Sequence, residues 1–276
     1  MRKRLRTGVI LLLLVSLSAF CGCVTPPVEV FDGANNIYIT PYSNVPVSDL
    51  SEEDFIADVD GYPVYKGGNY TLIRGIDVSQ FQGDIDWQAV AEAGYQFAII
   101  RCGYRGATEG KISEDEKYEA NVAGAKEAGL NVGVYFYSQA ITMEEAKEEA
   151  EYVLEKTQGI ALDLPVMFDW ERNDTEAGSR TLDADGDAIT DCGAAFCRAV
   201  EQAGLQAGVY MNLDTGYHTW DLGRLEGYTI WLSNPGVYPQ FYYKADYWQY
   251  SFLGSVPGVE GNCDLNYYFA PANVTE

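Results

Sequence analysis

Val166-Met167-Phe168-Asp169-Trp170-Glu171 reads as a strand buried on both sides that ends in two acids. Side chains alternate along a strand, so Met167, Asp169 and Glu171 share one face while Val166, Phe168 and Trp170 share the other. In a closed α/β barrel the first face points into the lumen, and the C-terminal mouth of such a barrel is where reactive groups gather. Carboxylates on so apolar a strand cost free energy unless they have a task. They are candidate catalytic groups.

Outward from this strand, three segments nearly repeat. Glu92-Ala93-Gly94 leads into Phe97-Ala98-Ile99-Ile100, Glu127-Ala128-Gly129 into Val132-Gly133-Val134-Tyr135, and Gln202-Ala203-Gly204 into Ala207-Gly208-Val209-Tyr210. Each is a helix end closed by glycine and followed by a short buried parallel strand. Ser113 with Glu116 and Thr142 with Glu145 have the spacing of capping boxes and predict helix starts. Met143, Ala146, Ala150, Val153 and Leu154 then follow a helical period. Strand and helix thus alternate, which is the pattern of an α/β barrel or a doubly wound sheet. The barrel is favoured by parity, since Gly133, Tyr135 and Tyr137 share one face, as do Gly208, Tyr210 and Asn212. No glycine-rich phosphate loop follows a strand, which removes support for a nucleotide-binding sheet.

A chain of 276 residues that is 47% hydrophobic and 13% aromatic can bury a large core. Its 41 acidic against 18 basic side chains repel phosphate backbones, so no nucleic-acid partner is expected. The single histidine, His218, excludes mechanisms that need two. It is read as a rim residue in the loop after Asn212. Asp183-Ala184-Asp185-Gly186-Asp187, with Asp191, resembles a calcium loop but has Ala188 and Ala194 where that loop needs Gly and Glu. The segment is read as a polar loop leading into a helix from Asp191, and no metal or other cofactor is expected. Paired carboxylates without metal-binding histidines suit glycoside hydrolysis, in which one acid protonates the leaving oxygen and a second group stabilises the cationic sugar.

Residues 1–23 read as an export signal. Arg2, Lys3, Arg4 and Arg6 precede an apolar run from Val9 to Phe20, too short to span a bilayer. Phe20-Cys21-Gly22-Cys23 resembles a bacterial lipobox, which makes Cys23 the expected lipid anchor on the outer face of the membrane; an ordinary secretory signal is the alternative. Removing residues 1–23 leaves 14 basic groups against 41 acidic, a net charge of −27. Residues 24–70, with Pro26, Pro27, Pro41 and Pro46 and no sustained periodicity, read as a tether or as an N-terminal extension packed on the domain. The catalytic domain is placed at residues 71–276. In an exported chain Cys102, Cys192, Cys197 and Cys263 can pair in three ways, with Cys192–Cys197 disfavoured by its spacing on a helix.

Four blocks in order carry a family resemblance. Gly75-Ile76-Asp77-Val78-Ser79-Gln80-Phe81-Gln82-Gly83 followed by Ile85-Asp86-Trp87, then Phe168-Asp169-Trp170-Glu171, Trp248-Gln249-Tyr250-Ser251, and Val256-Pro257-Gly258 with Asp264-Leu265-Asn266 are similar to the glycoside hydrolase family 25 muramidases, the Chalaropsis-type lysozymes. The similarity runs from Ile73 to Phe269. It implies a TIM-like (β/α)5β3 barrel that hydrolyses the β-1,4 bond between N-acetylmuramic acid and N-acetylglucosamine in peptidoglycan. Glu171 then matches the general acid, Asp169 its neighbouring carboxylate, and Asp77 and Asp264 two further acids of the groove. Cys263 stands where that family more usually has an aliphatic residue, and its oxidation could fix Asp264. Arg101, Tyr135, Tyr137, Tyr210, Trp231, Trp248 and Gln249 are candidate sugar-binding residues at strand ends. The expected partners are peptidoglycan glycan strands and, through the lipid, a membrane, with the chain itself a monomer. A non-catalytic glycan-binding module on the same barrel, or a hydrolase of another N-acetylated polysaccharide, are the alternatives.

Overall fold

The computed structural model describes residues 25–272. The signal segment and Cys23 lie outside the described residues. Two short hairpins come first, β1 (Val28–Phe31) with β2 (Asn36–Ile39) and β3 (Phe55–Ala57) with β4 (Pro63–Tyr65). The rest alternates. β5 (Tyr70–Val78), α1 (Trp87–Glu92), β6 (Phe97–Arg105), β7 (Ile112–Glu114), α2 (Tyr118–Glu127), β8 (Asn131–Ser138), α3 (Met143–Lys156) and β9 (Val166–Trp170) are followed by α4 (Gly186–Gln202), β10 (Ala207–Asn212), α5 (Leu213–His218), β11 (Thr229–Ser233), β12 (Tyr247–Gly254) and β13 (Cys263–Pro271).

Seven strands, β5, β6, β8, β9, β10, β11 and β12, run parallel, each paired with the next. β13 runs antiparallel to both β12 and β5 and closes an eight-stranded ring. Strands and helices enclose an outer core that includes Phe168, Trp170, Phe196 and Trp248. Phe97, Ile99, Tyr135, Met167, Tyr210, Trp231 and Tyr247 fill the lumen. That filling needs missing side chains on the inward face. A Cβ on Gly208 would come within 2.6 Å of both the Met167 sulfur and the Thr229 carbonyl, and one on Gly75 would enter the Phe97 ring.

Local signals were overridden in two places. Ser113 does not start a helix: Ile112–Glu114 pair with Arg105–Gly103 as β7, and α2 begins at Tyr118. Cross-strand pairing wins there over the capping spacing. Likewise α4 starts at Gly186, ahead of Asp191, because the Asp185 carboxylate accepts the Ala188 N–H at 3.3 Å and caps the helix. At α3, Thr142 Oγ1 accepts the Glu145 N–H at 3.3 Å as its spacing predicts.

Ahead of β5, residues 25–69 make packing contacts with the barrel. Phe55 is buried edge-on against Trp248, with ring centroids 5.8 Å apart, and Val47 bridges Tyr243. Asn44 Nδ2 donates to the Gly223 carbonyl at 2.8 Å. Cys102, Cys192, Cys197 and Cys263 are buried free thiols, so none of the three pairings forms and no disulfide braces Asp264. No helix among the described residues is long and apolar enough to cross a membrane.

Candidate active site

Each inward face delivers its last residues to the C-terminal mouth of the barrel. β5 brings Asp77, β9 brings Asp169, and Glu171 follows where β9 ends. Asp264, near the start of the reversed strand β13, stands opposite Asp77 in register. With Tyr135, Tyr137, Tyr210, Trp231, Gln249 and Phe252 these acids line a chamber of about 310 Å³. All four sequence-nominated carboxylates therefore meet in one place.

Hydrogen bonds fix one side of the chamber. Asp77 Oδ2 accepts from Asn266 Nδ2 at 2.6 Å and from Gln249 Nε2 at 2.9 Å. Gln249 Oε1 in turn accepts the Tyr210 hydroxyl at 2.9 Å, and Trp231 Nε1 donates to Asn266 Oδ1 at 2.8 Å. Asp169 differs, because its Oδ1 is buried and has no hydrogen-bond partner. An unpartnered buried oxygen costs about 1–3 kcal/mol, and this one belongs to a chamber residue, so a donor on a bound molecule would relieve that cost.

Crowding four acids in a poorly solvated chamber favours their protonated forms. Burial, then the charge of Asp264, raises Asp77 well above the ordinary carboxyl range, although the Asn266 and Gln249 amides pull it back. Burial followed by Glu171 and Asp77 does the same to Asp169, with Arg101 opposing. Burial also raises Glu171, against the lowering influence of the nearby Tyr210 hydroxyl. Asp264 is raised by burial to about 6, restrained by its hydrogen bond with Asp77. Burial thus makes both members of the facing pair, Asp77 and Asp264, keep their protons to higher pH than exposed carboxyls would.

The backbone under Glu171 is held from behind. Gln139 Nε2 donates to the Glu171 carbonyl at 2.8 Å, and Gln139 Oε1 accepts the Thr181 hydroxyl at 3.0 Å. Both side chains are fully buried. β9 has already ended at Trp170, so this contact replaces the ladder that would otherwise fix the acid.

Among the sugar-binding candidates, Tyr135, Tyr137, Tyr210, Trp231 and Gln249 line the chamber. Arg101 does not line it. Its Nε pairs with Asp115 at 2.7 Å, and its guanidinium lies over Phe81 and Tyr104. A bulge in β6 after Arg101 lets Tyr104 join it on the inward side. Trp248 is a correction: it is fully buried in the outer core and donates from Nε1 to the Asn234 carbonyl. As the immediate neighbour of inward-facing Gln249 it must face outward. His218 ends α5 instead of sitting in a loop, with Nε2 3.0 Å from Asp32 Oδ2. Sequence reasoning missed Asn266, whose two-residue offset from Asp264 was readable, and Phe252, which lies past a register shift in β12 that destroys parity.

Clustered, proton-retaining acids walled by aromatic rings at a barrel mouth are the equipment of a carbohydrate-cleaving enzyme. The chain belongs to glycosyl hydrolases family 25, which residues 76–259 match. It is similar to the autolytic lysozyme of Clostridium acetobutylicum, 31% identical over 70% of this chain and 55% of that protein. Lysozyme M1 of Streptomyces globisporus is 30% identical over 70% of this chain and 67% of that one. Among solved structures, the modular autolysin LytC of Streptococcus pneumoniae superposes with a TM-score of 0.66 at 22% identity, a likeness of fold, over 78% of this chain and 52% of that one. The chain thus spans about half the length of the Clostridium lysozyme and of LytC.

Proposed function

We propose that this chain is a muramidase that hydrolyses the β-1,4 bond between N-acetylmuramic acid and N-acetylglucosamine in bacterial peptidoglycan. The observation that carries this reading is the unpartnered Oδ1 of Asp169 in the chamber that Glu171 also lines. A sugar with a 2-acetamido group supplies the N–H that this oxygen lacks. Asp169 then orients the amide so that its carbonyl oxygen attacks the anomeric carbon, while Glu171 gives its proton to the departing glycosidic oxygen. Water opens the resulting cyclic intermediate as Glu171 takes the proton back, with net retention at the anomeric carbon. Asp77 and Asp264 hold the opposite wall, and Gln249 ties Asp77 to the Tyr210 hydroxyl.

The lysozyme relatives support the choice of substrate. The basic, then apolar, then Gly22-Cys23 pattern supports export and acylation of Cys23, which would hold the enzyme at the outer face of the membrane. Digestion of purified peptidoglycan, followed by mass analysis of the borohydride-reduced fragments, tests the activity. Reduced muramic acid at the new ends is expected; reduced glucosamine ends, or no release, would reject a muramidase.

A further inference from the structure

A second chamber of about 620 Å³ adjoins the first and shares Glu171, Tyr210 and Phe252 with it, but not Asp169, Asp77 or Asp264. One of its walls is the turn of the first hairpin, residues 32–35, facing Asn212, Ser233 and Asn234 across the space. That hairpin lies outside residues 76–259 and outside the eight-stranded ring, pairing only with itself.

The turn is built to stay in place. Asp32, itself buried, accepts the N–H groups of Ala34 at 2.9 Å and Asn35 at 2.7 Å through Oδ1, and its Oδ2 meets His218 Nε2 at the end of α5. The side chain of Asn35 is left exposed at the chamber wall, and Phe252 is 46% exposed. No lysine or arginine lines the chamber, whereas Glu171 and Asp214 do. Amides, a hydroxyl and one open aromatic face, without a cation, suit a neutral sugar bearing hydroxyl and acetamido groups.

We infer that residues 32–35 of the N-terminal hairpin form a wall of the leaving-sugar subsite and, through Asn35, contact the N-acetylglucosamine unit expelled in the reaction. This rests on the muramidase reading. If Asp169 serves the sugar whose bond breaks, that sugar occupies the inner chamber. Glu171 borders both chambers and protonates the oxygen between the two sugars, so the departing unit lies on the far side of Glu171, against the hairpin.

The test compares two substrates, a tetrasaccharide of alternating N-acetylglucosamine and N-acetylmuramic acid, and an aryl β-glycoside of N-acetylmuramic acid whose leaving group offers no hydroxyl or acetamido group. Asn35→Trp crowds the wall, Asn35→Ala removes its amide, and Asp32→Ala releases the turn. The three variants are expected to lose about tenfold more kcat/KM on the tetrasaccharide than on the aryl glycoside. Equal losses on the two substrates, as a purely structural hairpin would give, or no loss on either, overturn the inference. A wild-type enzyme silent on both substrates instead rejects the muramidase reading beneath it.

Discussion

Asp169 and Glu171 are two positions apart on one strand end, yet they have different surroundings, and the proposed mechanism gives them different tasks. Glu171→Gln keeps the shape and removes the proton, so turnover of wall material should fall by about 10²- to 10⁴-fold; a wild-type rate would remove Glu171 from the acid role. Asp169→Asn should cut kcat strongly while glycan affinity, followed by calorimetry, changes little, because the orienting contact tightens as the amide attacks. Proton NMR of the first product should show the β-anomer. An initial α-anomer means direct attack by water and sinks the substrate-assisted route. The shared direction of the acid shifts fixes the pH response. A raised folded pKa keeps Glu171 protonated further toward neutral, so kcat should decline as pH rises past it. The same sign governs stability: Asp264, at about 6 against an ordinary 3.8, contributes fully below 3.8 and loses its contribution as pH rises through about 6. Urea unfolding of wild type and Asp264→Asn across that interval should converge on one another's pH slope if any other group is responsible. The acids were legible in the sequence because strand alternation alone puts Asp169 and Glu171 on one face. Trp248 was misplaced by its motif although the same alternation, applied to Gln249, turns it outward.

The elements of the barrel depend on side chains that are missing as much as on those present. Gly75 on β5 leaves room for the Phe97 ring of β6, which forms part of the lumen packing below the acids. Gly75→Ala should therefore push Phe97 off its rotamer and destabilise the fold by about 1–3 kcal/mol, read from the urea midpoint. An unchanged midpoint would mean that the lumen is loosely packed. Strand and helix alternation was readable because glycine caps and β-branched runs recur together at three places. β7 was not, since nothing local in Ile112-Ser113-Glu114 competes with a capping spacing; its strand state comes from pairing with β6. The start of α4 was hidden for a related reason, as several aspartates could have capped it and only tertiary placement selects Asp185.

For the whole molecule, the proposed acylation of Cys23 has a direct test. Cys23→Ser should shift the protein from the membrane fraction to the soluble one with its hydrolytic rate intact, because the barrel begins only at Tyr70. A variant that stays in the membrane pellet would assign the attachment to Cys21 or to an uncleaved apolar segment. The arm's packing could not be read beforehand, since its contacts, such as Phe55 on Trp248, join distant parts of the chain and leave no periodic trace. Ring closure has a further outcome in time. β13 is the last strand of the ring in chain order, and it brings both Asp264 and Asn266 to Asp77 on the first. Until β13 has emerged, a nascent chain carries Asp169 and Glu171 but has no closed mouth to hold them. The mouth that gathers the four acids thus forms only once Cys263–Pro271 has emerged and paired with Tyr70–Val78.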